Sequence, residues 1–315
     1  MAHHVFLPCQ LTRKCWLAGA LAGLPRELCH AIAHTLAALY PVRVALSLKH
    51  AAFVAHGVLW VAEREACLFR PVRLAREAVD VGYCRGRVFV LTAAGALWST
   101  PAAIGPTWRM HALGVARLAC CWQRVATATT DGALWLSRRD DSGDFECVCR
   151  VAGTVAALAV SDEHVLALTH SGEVWRATGG CAAAPINLSV AVRGGYRVVG
   201  VCCSDFLDAV LLDNGRAHIL TTLAESAHVR TLCAYGEAIL VVPERGPMYY
   251  YGDGGVAHMI RTRTSALPPE AVTLAALLGE LAIASDGRVW VNRPRRGDAF
   301  VPVAFGAWRT HDWVV

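Results

Sequence analysis

Seven times along the chain an apolar run closes on a glycine, and three residues after each glycine stands a tryptophan, a tyrosine or a histidine. The glycines are Gly57, Gly95, Gly132, Gly172, Gly215, Gly246 and Gly287. The residues that follow them are Trp60, Trp98, Trp135, Trp175, His218, Tyr249 and Trp290. Successive glycines lie 31 to 43 residues apart, and five of the chain's 10 tryptophans occupy this one slot. Self-similarity at such a period marks one supersecondary unit stacked against copies of itself.

Each unit reads as a short strand, a strongly apolar strand, a tight hairpin and a third strand carrying the aromatic. Asp131-Gly132, Ser171-Gly172, Asn214-Gly215 and Asp286-Gly287 are pairs that tolerate positive φ, which predicts two-residue hairpins. A fourth strand is predicted in LFRPVRL (68–74), FECVCRV (145–151) and FVPVAFG (300–306). Four strands in a period of about 40 residues predict an all-β, seven-bladed β-propeller of four-stranded blades over residues 42–315. The fifth unit, 31 residues long, predicts a short or missing strand. Closure has two candidates: VFLPCQL (5–11) completing the last blade, or FVPVAFG doing so itself.

The apolar runs also account for composition. Hydrophobic residues make up 55% of the chain and mean hydropathy is +0.39. A strand covered on both faces by neighbouring blades is continuously apolar, whereas a solvated sheet face alternates. The most membrane-like stretch, CWLAGALAGLP (15–25), falls short of the ~20 residues a span needs and runs into Arg26 and Glu27. Behind Arg13 and Lys14 it loosely resembles a signal peptide. The 13 cysteines, odd in number and without framework spacing, favour a reducing compartment, cytosol or nucleus. Net charge is +5, too mild to imply nucleic acid, and lysine occurs only at positions 14 and 49. Arginine and alanine richness suggests a GC-rich genome, viral or microbial.

The segment His164 to Trp175, HVLALTHSGEVW, resembles the repeat of the regulator of chromosome condensation (RCC) family. That family's continuation beyond the aromatic, W-G-x-N-x-x-G-Q-L-G, is absent. Trp60 is followed by VAERE, Trp98 by STPAA, Trp135 by LSRRD and Trp175 by RATGG. The resemblance implies a propeller acting as an exchange factor for a small GTPase, a chromatin binder or an interaction platform.

Residues 1–41 are predicted to form an N-terminal strand and helix. Leu28, Ile32, Leu36 and Leu39 share one face at helical spacing, with Pro25 in the first turn. Leu24-Pro25-Arg26-Glu27-Leu28 resembles the opening of an F-box, which implies docking on a Skp-type adaptor of a ubiquitin ligase through Leu24, Pro25, Leu28 and Ile32. His30 and His34 stand four apart on this helix, but Ala31 replaces the glutamate of a metalloprotease motif. Cys147 and Cys149 alternate on one strand without a second pair at zinc spacing, so no metal site is expected. Cys120-Cys121 and Cys202-Cys203 take nearly equivalent places in two units and suit small buried residues.

Arg138 and Arg139 follow Trp135, and Arg293, Arg295 and Arg296 follow Trp290, which makes both sets candidate partner-contact loops on a common side. The spacing brings together no nucleophile–base set, no catalytic carboxylate pair and no phosphate-binding glycine loop. The expectation is a non-enzymatic, monomeric propeller without a cofactor that binds another protein, a host protein if the genome is viral. The alternatives are a ubiquitin-ligase substrate receptor and a guanine-nucleotide exchange factor.

Overall fold

The computed structural model describes residues 43–46, 50–55, 57–63, 68–72, 74, 76–101, 107–138, 144–179, 183–188, 195–220, 224–226, 228–235, 238–243, 249–252, 257–259, 271–274, 281–284, 289–292, 300–302 and 304–305. The N-terminal strand, helix and F-box-like segment lie outside them. The described residues form seven four-stranded antiparallel meanders, numbered here as sheets one to seven in chain order. Their first strands are Arg43–Leu46, Ala78–Cys84, Val115–Cys120, Val155–Val160, Val198–Cys203, Val229–Tyr235 and Ala271–Leu274. From sheet one to sheet six each first strand touches the next, so these strands are innermost and the meanders run outward from them.

The repeat is visible in the register. Residues of the aromatic slot all sit on third strands and pair with second strands at matching places: Phe53 with Trp60, Val90 with Trp98, Thr127 with Trp135, Ala167 with Trp175, Val210 with His218, Val241 with Tyr249 and Ala282 with Trp290. In the fifth unit the third and fourth strands, Ala217–Ile219 and Ala224–Ser226, have three residues each, and all four strands are present; Tyr249–Tyr251 and Ala257–Met259 of the sixth are as short.

Second strands are covered on both faces. His164–Thr169 is buried throughout, and Arg87–Thr92 at all but its first residue. Along Arg87–Thr92 the pleat sends alternate side chains opposite ways. Val88 and Val90 pack with Val54, Leu59 and Val61 of sheet one; Phe89 and Leu91 pack with Val115, Leu118 and Val125 of sheet three. The same sharing recurs further on, where Leu168 and Val174 of sheet four meet Val198, Val210 and Leu212 of sheet five. Each such side chain contributes about 1.5–3 kcal/mol on burial, and all of it depends on the neighbouring sheet being present.

The anchor glycines have two jobs. Gly57, Gly95, Gly132, Gly172 and Gly215 take φ between +75° and +91°, a region closed to most L side chains. Asp131, Ser171 and Asn214 do not have positive φ, so the predicted two-residue hairpins are corrected. In sheet two the Gly95 amide donates to the Thr92 carbonyl and the Thr92 amide to the Ala96 carbonyl, a three-residue loop with its last residue left-handed. Thr92, Thr129 and Thr169 bracket these loops with their hydroxyls, Thr92 Oγ1 accepting from the Ala96 amide and Thr169 Oγ1 from the Glu173 amide. The glycine carbonyls then reach outward. Those of Gly57, Gly95 and Gly215 accept from Ala78, Val115 and Val229, each the residue that opens the next sheet.

Two features were not expected. The second residue of the first strand forms a β-bulge in sheets two to seven, at Val79, Ala116, Ala156, Val199, Arg230 and Val272. Bulges add local twist and bend a strand, as crowded innermost strands require. The N-terminal candidate for closure lies outside the described residues, and the C-terminal one divides between two sheets. Phe300–Pro302 is the fourth strand of sheet seven, and Ala304–Phe305 crosses to pair in parallel with the outer strand of sheet one, Leu68–Val72.

A Cβ on Gly132 would lie 2.6 Å from the Gly153 carbonyl oxygen and 2.7 Å from that of Val151, whereas one on Gly172 would meet nothing within 4 Å. Gly172→Ala therefore loses only the left-handed backbone preference, about 1–2 kcal/mol. Gly132→Ala adds a clash with backbone and costs at least about 1 kcal/mol more. Urea unfolding midpoints of the two variants check the order.

Candidate functional site

Sheets two and three leave a cleft of about 290 Å³ between them, lined among others by Met110, His111, Leu113, Trp135 and Phe145. Its near wall is the outermost strand of sheet two, Arg109–Ala112, and its far wall is the third strand of sheet three with Phe145 from the fourth. Met110 is 49% and Leu113 66% exposed, large apolar side chains that folding leaves in water. Arg109 and Asp144 meet across the mouth at 3.6 Å, both largely exposed.

His111 is fixed in this wall. Its ring lies 5.5 Å from Phe89 and 5.8 Å, edge-on, from Phe145. Arg87 donates from Nε and Nη2 to Ser99 Oγ at 3.2 and 3.0 Å, so the buried Ser99 hydroxyl sends its own proton to His111 Nε2, 2.7 Å away. This makes Nε2 the acceptor and places the ring hydrogen on Nδ1 in the neutral form.

A second polar cluster bridges sheets four and five. His164 Nε2 lies 2.5 Å from Asp208 Oδ1, Ser161 Oγ lies 3.1 Å from His164 Nδ1, and Arg176 Nη1 lies 3.5 Å from Asp208 Oδ2. Serine, histidine and aspartate in one line have the composition of a hydrolytic triad, but Ser161 is only 2% exposed. Its oxygen accepts from the amides of Glu163 and His164, closing a turn. Ser204 closes the matching turn of sheet five with Leu207 where the histidine would be, so the serine is a turn device. Nδ1 of His164 faces two donors, Ser161 and Arg176, which leaves Nε2 to donate to the carboxylate.

Cys203 Sγ lies with these atoms, all within 4.8 Å of one another, a donor set known in zinc chemistry. A cation there has to displace the His164–Asp208 hydrogen bond and sit beside the Arg176 guanidinium. Burial, with Cys202, Asp208 and Cys121 nearby, also holds the Cys203 thiol well above its ordinary range. The cluster is an inter-sheet clamp.

The first strands carry a third group. Burial pushes the Asp80 carboxyl up to about 6, against the pull of Arg43 from sheet one, the Val81 amide and Arg117 from sheet three. Arg117 Nε in turn donates to the Ala156 carbonyl of sheet four at 2.8 Å.

Of the residues singled out by sequence, Arg138 is exposed on the loop after the third strand of sheet three, its amide donating to the Asp144 carbonyl. Leu24, Pro25, Leu28, Ile32, Arg139, Arg293, Arg295 and Arg296 lie outside the described residues. Trp60 is buried and stacked 6.0 Å from Phe53; Trp135 lines the cleft toward sheet two, and Trp175 packs on the core shared with sheet three. Cys147 Sγ donates to the Cys149 carbonyl, and Cys84, Cys120, Cys121, Cys147, Cys149, Cys202 and Cys203 are free thiols. Cys120 is a packing residue: a Cβ on Gly82 would come within 2.2 Å of its sulfur. No helix among the described residues is long and apolar enough to cross a membrane. The cleft was missed because its walls come from two units; the alternation of Arg109, Met110, His111 and Ala112 was its only local signal.

No family model matches this sequence, and no curated protein matches it. Solved propellers do resemble the structure. PorZ of Porphyromonas gingivalis gives a TM-score of 0.56 at 15% identity, over 84% of this chain and 38% of that one. YCF48 of Cyanidioschyzon merolae gives 0.52 at 12%, over 79% and 91%. Prp20p of Saccharomyces cerevisiae, the yeast RCC1, gives 0.52 at 9%, over 70% and 76%. The chain spans well under half of PorZ. The fold is a β-propeller.

Asp208→Ala leaves His164 and Arg176 without their acceptor and is expected to cost about 3–5 kcal/mol, with His164→Ala close behind. A double-mutant cycle in urea checks the coupling. Asp80 behaves oppositely to a paired carboxylate. Its folded pKa exceeds the unfolded one, so the native state binds the extra proton and stability falls as pH rises from about 4 through about 6. Asp80→Asn should gain about 2–3 kcal/mol at pH 7 and nothing near pH 4, as thermal melts across that range can show.

Proposed function

We propose that this chain is a non-enzymatic recognition propeller whose partner is another protein. The observation that carries it is the cleft between sheets two and three. Exposed Met110 and Leu113 stand beside the half-buried Trp135 and Phe145, with the outermost strand of sheet two along one side. Among the described residues no strand pairs with the outer edge of Arg109–Ala112, so an extended segment can add there and lower an apolar side chain into the cleft. Rigid walls favour such recognition, since His111 is already held by Ser99, Phe89 and Phe145 and little is left to order on binding. Prp20p binds Gsp1p and histones, and YCF48 has been seen with a D1 peptide, so propellers of this build do take protein ligands.

Affinity purification from the native host, comparing wild type with Met110→Asp/Leu113→Asp, tests this reading. The wild type should enrich a protein whose affinity falls at least tenfold in the double variant, with the unfolding midpoint unchanged. No protein enriched above a charge-matched control overturns it. Faster GDP release from a small GTPase enriched in this way would specify the exchange-factor role.

A further inference from the structure

Each sheet turns from its first to its second strand through a four-residue tip: Cys84-Arg85-Gly86-Arg87, Cys121-Trp122-Gln123-Arg124, Ser161-Asp162-Glu163-His164 and Ser204-Asp205-Phe206-Leu207 in sheets two to five. In an antiparallel meander these tips lie at the end of the sheets opposite the glycine hairpins, so they crown the other side of the propeller from Gly95, Gly132, Gly172 and Gly215. Each tip is locked within itself. The amides of Cys121, Ser161 and Ser204 donate to the carbonyls of Arg124, His164 and Leu207 at 2.8 to 2.9 Å.

The tips are also tied to one another. Arg85 donates its amide to the Trp122 carbonyl at 3.1 Å, the Cys121 thiol donates to Asp162 Oδ1 at 3.0 Å, and the Asp162 amide donates to Asp205 Oδ1 at 2.9 Å. A continuous, hydrogen-bonded rim thus runs over sheets two to five. On it Trp122 is 57% and Phe206 54% exposed, while the matching places hold Arg85, Gly86, Gln123 and Glu163 in other tips. Nothing in the turn geometry asks for an aromatic there. Asp162, Glu163 and Asp205 stand between the two rings along the chain of bonds, in a protein whose net charge is +5.

We propose that this rim, over sheets three to five, docks a basic protein segment in which arginine or lysine alternates with apolar side chains. The rings of Trp122 and Phe206 offer apolar contact and cation–π faces, and the carboxylates between them pair with the cations. Arg85 on the sheet-two tip repels the same charge, which confines the segment to sheets three to five. Because the tips are already fixed, binding orders little of the propeller. The proposal rests on the recognition reading above but uses a different surface from the cleft.

A phage-displayed library of random 12-residue peptides, selected on the full chain, is the probe. Enriched peptides should carry Arg or Lys beside Leu, Phe, Trp or Met, and should bind at least tenfold more weakly to Trp122→Ala/Phe206→Ala and to Glu163→Lys. Both should bind as before to Met110→Asp, with unfolding midpoints confirming that every variant is folded. Rising salt should weaken the binding. Enriched peptides that are acidic or uncharged, or indifferent to the rim variants, overturn the proposal. If they instead respond to Met110→Asp, the rim fails and the recognition reading stands. If no peptide is enriched at either surface, both fail. Self-association that Trp122→Ala abolishes would identify a second copy as the occupant and overturn the basic segment.

Discussion

Among the described residues no sheet owns a core. Arg87–Thr92 sends Val88 and Val90 into one cluster and Phe89 and Leu91 into another, and each cluster takes half of its members from a different sheet. A single four-stranded sheet with such a second strand would expose both apolar faces to water. The energy that folds the chain is therefore stored between units, in the nearest-neighbour form of repeat proteins. Every other feature follows from holding adjacent sheets at that spacing. Left-handed glycines let the hairpin carbonyl reach the next sheet, the bulges fit crowded first strands together, and Ala304–Phe305 carries the pairing back to sheet one.

What could be read from the sequence was what recurs at a fixed offset. The glycine marks the hairpin in the five units where it is described, Gly57 to Gly215, and the aromatic three residues on marks the third strand in all seven. Continuous apolar runs such as VLAL at 165–168 report burial on both faces, which belongs to the strand itself. Features made by two units were invisible. His164 and Asp208 are 44 residues apart and stand one place out of step in their own repeats, so no alignment of units pairs them. The cleft has the same origin, with Met110 and Trp135 from different sheets. The hairpin type differs for a local reason. Asp131 and Ser171 can take positive φ, but Thr129 and Thr169, two residues earlier, support a loop in which glycine alone has to.

Two polar groups enter this apolar stack on different terms. The His164–Asp208–Arg176 clamp satisfies each ring nitrogen and both carboxylate oxygens, so its charge is buried at small net cost. Asp80 is the opposite case. Two arginines and an amide do not offset its burial, and the carboxyl is left with a pKa of about 6. Asp80, His164 and Asp208 lie on first or second strands, and Arg176 reaches the clamp from a third strand. Of the exposed apolar groups, Val79 and Val199 mark bulges on first strands, Trp122 and Phe206 stand on tips, Met110 lies on an outermost strand and Leu113 in the connection beyond it.

That separation explains how one backbone can offer two unlike surfaces. Each tip is held by hydrogen bonds of the main chain and of one small side chain, Cys121, Ser161 or Ser204, with Asp162 and Asp205 tying neighbouring tips, so none of these bonds calls on the rings of Trp122 or Phe206. The cleft is set by the distance between two sheets, which their shared core fixes from within. A change at a tip leaves the cleft walls where they are, and a change at Met110 leaves the tip bonds intact. Recognition at the two places is therefore separable in this fold, because the constraint that builds the propeller acts on neither set of exposed side chains.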